Sequence, residues 1–473
     1  MDTSALQSYD LVNSYIPAAI SLVLFAVFAW RGLNGANSAA FMTLAPFGAA
    51  FLAGVAHTRF MLLLIVVDVV RLAITGKVQR PTSIRPSGVP VGTILFTLVV
   101  LAVWIKIAVD CAIGGMDVYR TSSIMYAMTR VWLPLVHLYF ALRSSGIQKG
   151  AEAFLIGIMG YGGLVGLSAL AFSLVDGSIL NAFGGGSRLT LFGEDTINSA
   201  RGPYYVVVVA LVYVISVGRR SLTARVACGS LIGAMSLILL LTGTRQFVVA
   251  GIAFGVCVLM TALKTTKDAL TFAGLVVVIG LIGSTLWNTT AIGERFSGDR
   301  LEYEASSSRG AIWRDAFATA YSRPLTGAGF RLFGEETAVF SQRTGLVMLN
   351  RDSAHGYLQE MFAEHGMVLG TLGILGFLLS AVVILVSGFR FGLHGSVAIG
   401  VSALGFALPE MATGTIWRCY GMSLVAALPF LLGLSKFSSM KRIDGIVAVT
   451  GSARLGSTAT SGKHLPSATA RRA

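Results

Sequence analysis

Apolar stretches of similar length, separated by short polar connections, make up most of this chain. Runs at residues 15–33, 39–56, 58–75, 91–113, 124–142, 153–176, 203–218, 223–243, 246–263, 269–287, 366–388, 396–412 and 419–436 have about the length a helix needs to cross roughly 30 Å of hydrocarbon. The second and third are joined so tightly around His57 and Arg59 that a hairpin or re-entrant segment is an alternative there. A bilayer obliges each spanning segment to satisfy its own backbone, so an all-α polytopic transmembrane helical bundle of about 12–13 spans is expected. The expected organisation is amino-terminal helices over 1–287, one long polar outer loop over 288–355, carboxy-terminal helices over 356–437, and a tail over 438–473.

Composition agrees with this pattern. With 55% hydrophobic and 12% charged residues and a mean hydropathy of +0.75, a soluble domain of this length is excluded. The start, MDTSALQSYD, lacks the basic region of a secretory signal, so the first helix is expected to be retained with its beginning outside. Cys111, Cys228, Cys257 and Cys419 are scattered without metal-ligand spacing and read as packing residues. The 55 glycines suit close approach of transmembrane backbones.

Charge sets the orientation. Arg31, Lys77, Arg80, Arg85, Arg143, Lys149, Arg219, Arg220, Arg225, Lys264, Lys267 and Arg390 fall in alternate loops, which the positive-inside bias makes cytoplasmic. The basic, Ser/Thr/Ala/Gly-rich tail is then cytoplasmic and reads as disordered. On the opposite face every cation is arginine, including Arg120, Arg188, Arg201, Arg245, Arg309, Arg314, Arg323, Arg331 and Arg418. A guanidinium fork grips phosphate oxygens in pairs, whereas lysine is a mobile point charge. An anionic, phosphate-bearing ligand outside is one reading; pairing with loop acids such as Glu294, Asp315, Glu335 and Asp352 is the other.

Three groups sit where water meets membrane. Arg245 interrupts two apolar runs in LTGTRQFVVAG, either as a binding group or snorkelling to headgroups. Arg309 and Trp313 share a helical face, with Arg314 beside them, so the tryptophan either anchors the interface or stacks on a sugar. His355 closes the long loop and has the chemistry to accept a hydroxyl proton, although loop histidines also serve structure.

In combination these groups resemble the O-antigen ligase and O-antigen polymerase superfamily of bacterial surface polysaccharide assembly. The resemblance rests on Thr244-Arg245, then Arg309 and Trp313 with Pro324, Gly327 and Gly329, then His355, Tyr357, Leu358, Glu364, Gly366 and Gly370, and covers roughly residues 240–390. The family pattern places an amphipathic segment after the histidine. Family members commonly carry Asn after the histidine and Gly after the first arginine; here Gly356 and Gln246 stand there.

The resemblance implies transfer of a glycan from a polyprenyl (undecaprenyl) diphosphate carrier to a sugar hydroxyl on the periplasmic face of the bacterial inner membrane. Arg245, Arg309 and Arg314 would hold the diphosphate and His355 would activate the acceptor. Inverting transfer without metal or cofactor is expected, because guanidinium groups neutralise the leaving group. Partners would be the lipid-linked glycan, an acceptor glycan, membrane lipid and a chain-length regulator, with no nucleic acid.

Charged residues within the apolar runs extend the list of candidates. Lys106 and Asp110 are spaced to pair along one helix face, and with Arg130 they either line the lipid-diphosphate cavity or serve packing. Glu410 is a further candidate beside the last outer turn. Arg188 and Arg201, in the segment 181–205, suggest an acceptor- or chain-handling loop, which tilts the reading toward an exopolysaccharide polymerase over a ligase acting on lipid A core. A transporter or flippase, or a non-catalytic scaffold, would instead tolerate loss of His355.

Overall fold

The computed structural model describes residues 70, 91–145, 147–175, 177–184, 188–191, 196–216, 222–262, 310–333, 356–393, 395–413 and 419–432. Those residues form helices and connections with no strand among them. The elements are α1 (Val91–Gly114), α2 (Val118–Ala127), a π turn (Met128–Trp132), α3 (Leu133–Ser145), α4 (Ile147–Val175), α5 (Ser178–Phe183), α6 (Thr196–Ser216), α7 (Leu222–Thr242), α8 (Arg245–Ala262), α9 (Gly310–Ser322), α10 (Tyr357–Phe391), α11 (Gly395–Thr413) and α12 (Tyr420–Leu432). Among the described residues five helices are long and apolar enough to span a bilayer, namely α1, α4, α6, α7 and α10, and α3, α8, α11 and α12 are shorter apolar helices. The chain is therefore an all-α polytopic bundle, and candidate spans before residue 91 and over 269–287 lie outside the described residues.

Helix boundaries differ from the apolar runs where polar residues extend a helix. The run expected at 203–218 begins at Thr196, because Ser199, Ala200 and Arg201 are all buried in the bundle. The run at 124–142 begins at Val118, where Asp117 caps the helix by accepting from the Arg120 N–H. Trp132, in the π turn, meets Trp104 edge to face at 5.5 Å.

Small residues let the helices close. A Cβ on Gly376 would lie 2.9 Å from the Phe96 backbone, and one on Gly92 would strike Leu379, so α1 and α10 touch almost backbone to backbone. Ser380 Oγ also donates to the Gly92 carbonyl at 3.3 Å. The core runs through the bundle as one cluster that includes Phe96, Phe154, Tyr204, Tyr205, Phe247, Phe406 and Tyr420. Outward faces carry Leu98, Leu101, Ile105, Val249, Ile252 and Leu378, each more than half exposed, as lipid-facing helices should.

Long-range contacts gather the polar residues at one end of this bundle. The end of α7 meets the segment 188–191 through Leu189 N–H to Leu241 O, 3.0 Å. The start of α8 meets the start of α6 through Thr244 Oγ1 to Thr196 O, 3.1 Å. The ends of α1 and α11, and the starts of α10 and α12, close the same layer through contacts described below.

Candidate functional site

The site is built on a break in α10. Gly366 adopts φ 84°, ψ 176° inside an otherwise helical stretch, so Tyr357–Phe391 is two helices joined at that residue. The first piece lies back against the second: a Cβ on Gly370 would strike the Phe362 ring, and one on Gly373 would meet Met361 and come within 3.4 Å of the Tyr357 hydroxyl. Such a break orphans carbonyls on one side and an N–H on the other, and each needs a partner when buried.

The turn Pro324 to Gly329 provides those partners. Ala328 N–H donates to Ala363 O at 2.8 Å, Gly329 N–H donates to Glu364 O at 3.2 Å, and Val368 N–H donates to Pro324 O at 3.1 Å. Glycine is required where the two strands of backbone meet. A Cβ on Gly327, whose φ is +61°, would stand 2.6 Å from the Glu364 carbonyl carbon, and one on Gly366 would stand 2.6 Å from Pro324 O. The Pro-x-x-Gly-x-Gly pattern is thus a cap on a helix reversal.

Charged side chains then fasten the turn to the bundle. Asp110 Oδ2, on α1, accepts from Phe330 N–H at 2.8 Å and from Lys106 Nζ at 2.6 Å. Arg120, buried at the start of α2, donates from Nε to Phe330 O at 3.3 Å and from Nη1 to Gly115 O at 2.8 Å. Glu364 Oε1 accepts from Arg331 N–H at 3.1 Å. Arg331 holds φ +62°, the one positive φ at a non-glycine position among the described residues. That conformation costs about 1 kcal/mol in an L-residue.

The first piece of α10 is not amphipathic. Tyr357 and every residue from Gln359 to His365 are buried, with Leu358 half-buried. Glu364 Oε2, Gln359 Oε1 and both His365 ring nitrogens have no hydrogen-bond partner among the described residues, so this piece retains polar capacity inside the bundle. The amphipathic segment that the family pattern implies is here a buried polar helix, because the turn and α9 cover its outer side through Ile312, Ala316, Phe333 and Ala363.

A second buried polar group lies across the same layer. Glu410, near the end of α11, accepts from Tyr205 Oη at 2.7 Å and from Gly421 N–H at 2.9 Å. The positive charge acting on it is Arg201, one helical turn before Tyr205. Tyr205 stacks on Phe406 with centroids 4.0 Å apart.

The expected site residues are placed as follows. Arg245 is the first residue of α8, half-buried, just after a turn in which Gly243 takes φ +62°. Trp313 and Arg314 lie on the exposed face of α9. Arg188 is exposed, whereas Arg201 is buried inside α6 facing Glu410, so these two arginines do not form one loop surface. Lys106 pairs with Asp110 as its spacing suggested. Arg130 falls in the π turn, with its side chain outside the described residues, as are Arg309 and His355 altogether. Sequence reasoning did not single out Arg331; its signal was its position two residues after the Gly-x-Gly turn, between Phe330 and Phe333.

Residues 231–374 match the model of a family described as O-antigen ligase. The chain carries an O-antigen ligase domain. The matched segment contains α8, the Pro324 to Gly329 turn and the Gly366 break, and it supports the resemblance to the O-antigen ligase and polymerase superfamily. The match supports a membrane enzyme of the type that acts in surface polysaccharide assembly. No curated protein matches the chain.

Proposed function

We propose that this O-antigen ligase-domain protein transfers a glycan from undecaprenyl diphosphate to a sugar hydroxyl, as a polymerase of exopolysaccharide or O-antigen repeats. The observation that carries the reading is the convergence of the Thr244-Arg245 break, the Pro324 to Gly329 turn and the start of α10 at one end of a single bundle. Gly356, which follows His355, is buried beside the end of α11, where a Cβ would lie 3.6 Å from Met411 O.

In this reading the acceptor oxygen bonds to the anomeric carbon of the donor while that carbon's bond to the diphosphate oxygen breaks. His355 takes the hydroxyl proton, and the polyprenyl diphosphate leaves with the bonding pair. Arg245, Arg309 and Arg314 neutralise the charge that grows on the leaving group, which is where a preorganised site lowers the barrier most. Displacement from the face opposite the diphosphate inverts the anomeric centre. Because guanidinium groups supply the positive charge, the step is written without a metal. This reading puts the reaction on the periplasmic face of the inner membrane, opposite the short loops that carry Arg143, Lys149, Arg219, Arg220, Arg225 and Arg390.

The description of the matched family favours a second reading, a ligase whose acceptor is lipid A core oligosaccharide. One experiment separates the two: a gel profile of surface and lipid-linked glycans in cells lacking the protein, complemented with wild type or His355→Ala. Loss of long chains, with single repeats still reaching the final acceptor, identifies the polymerase. Long chains held on the lipid carrier identify the ligase. A His355→Ala profile equal to wild type removes the catalytic base from the account and returns weight to a transporter or a scaffold.

A further inference from the structure

We propose that the exposed aromatic face of α9 is a membrane-docking surface, with Trp313, Phe317, Tyr321 and Leu325 set at the headgroup boundary of the bilayer that the bundle spans. The pattern along α9 begins the argument. Ile312, Ala316 and Ala320 are buried, and the first two pack with Ala363 of α10. One position on, in the same spacing of four, come Trp313, Phe317 and Tyr321, which are 43%, 42% and 81% exposed, and Leu325 follows just past the helix at 71%. A spacing of four keeps these rings on one side of the helix. A helix surrounded by water places polar residues on such a side, whereas this one places three aromatic rings there.

The second observation is depth. The piece of α10 that follows the Gly366 break runs to Phe391. It carries a column of exposed apolar side chains, Val368, Leu372, Leu375, Leu379, Val382 and Val386. At 1.5 Å per residue the stretch from Val368 to Arg390 rises about 33 Å, close to the roughly 30 Å of hydrocarbon in a bilayer. With the charge of Arg390 at one boundary, Val368 stands at the other. Val368 N–H is bonded to Pro324 O at 3.1 Å, which brings the end of α9 and Leu325 to that same level.

The third is continuity with the lipid-facing surface. Phe317 meets Phe362 with ring centroids 5.0 Å apart, and Phe362 in turn covers Gly370, between Val368 and Leu372 of the exposed column. The stripe on α9 is therefore joined to the top of that column twice, through Phe317 and through the Pro324 turn. Aromatic rings at the edge of a hydrocarbon-facing surface have the chemistry of an interfacial belt, in which Trp and Tyr keep an apolar body in lipid and a polar tip at the headgroups. A sugar platform would account for Trp313 and Tyr321 but not for Phe317 and Leu325, which offer a sugar hydroxyl no polar partner. The surface does not depend on the reaction assigned above. It holds α9, the cover of the buried polar piece of α10, against the membrane.

Full-length protein in lipid nanodiscs tests the assignment. In a Cys257→Ser background, which removes the exposed native thiol, Phe317→Cys, Tyr321→Cys and Ala318→Cys are each labelled with an environment-sensitive fluorophore, the last as a control on the adjoining exposed side of α9. The labels on Phe317→Cys and Tyr321→Cys should emit to the blue of the control and lose about half their intensity to lipids carrying a nitroxide about 5–10 Å below the headgroups. A water-soluble nickel chelate should quench the control more strongly than either. Unlabelled protein gives a second reading that decides the matter if a labelled variant fails to fold: the share of tryptophan fluorescence lost in Trp313→Phe should be quenched by lipids brominated at the same depth. Quenching of the Phe317→Cys and Tyr321→Cys labels by the chelate and not by the lipid, or a Trp313 share untouched by brominated lipid, overturns the proposal. Protection from the chelate that appears only on adding a surface oligosaccharide also overturns it, in favour of a sugar platform. Protection that appears only in nanodiscs holding two copies overturns it in favour of a contact between copies.

Discussion

Replacing Gly327 by alanine tests the helix-reversal cap directly. The added methyl would sit 2.6 Å from the carbonyl carbon of Glu364 and 2.7 Å from the carbonyl oxygens of Ala363 and Glu364. None of these atoms can rotate away, because all are backbone. The left-handed φ of +61° adds about 1 kcal/mol for any L-residue. Displacing a packed backbone costs about 1–3 kcal/mol. The Ala328 to Ala363 and Gly329 to Glu364 bonds then lengthen, at about 1 kcal/mol each. The expected destabilisation is roughly 4–6 kcal/mol. Gly115→Ala is the internal control, since Gly115 has φ +77° but nothing within 4 Å of a new Cβ. It should cost only the conformational part, about 1 kcal/mol. The assay is thermal unfolding of purified protein in detergent, followed by tryptophan fluorescence, with both variants and wild type in parallel. Equal shifts for Gly327→Ala and Gly115→Ala would refute the claim that the turn packs backbone to backbone on the Gly366 break.

Further predictions follow from neighbouring contacts. Asp110→Ala leaves both the Phe330 N–H and Lys106 without their described partner and should lower stability by about 2–4 kcal/mol, whereas Asp110→Asn, which keeps an acceptor oxygen, should cost less; chemical denaturation of the two variants checks the order. Tyr205→Phe keeps the stack on Phe406 but removes the hydroxyl donor to Glu410, with an expected cost of about 1.5–3 kcal/mol in the same assay. Arg314→Ala, at an exposed position on α9, should change stability by no more than about 0.5 kcal/mol while reducing glycan transfer in the cell-based gel profile; a large stability loss would place Arg314 in the fold rather than at the substrate.

Hydropathy alone determined where the apolar helices lie, because hydrocarbon admits no backbone that is not internally bonded, whereas α9 and the first piece of α10 fall outside every apolar run. The starts and ends of α1, α7 and α8 lie within one or two residues of the apolar runs. The Lys106 and Asp110 pair was legible for a similar reason: a spacing of four places both on one helix face whatever surrounds them. Arg245 could also be found in one dimension, since it breaks the apolar pattern, and the Gly-x-Gly turn through its resemblance to a family pattern. What Arg201 and Arg120 do could not be read there. A loop arginine and a buried arginine look alike until the partner is known, and Glu410 and Phe330 lie 209 and 210 residues away from them in sequence. The reversal at Gly366 was equally hidden, because glycine at close helix crossings and glycine at a left-handed break have the same letter. Only the tertiary structure decided between them, by bringing Pro324, Gly327 and Gly329 onto carbonyls that a continuous helix would have satisfied itself.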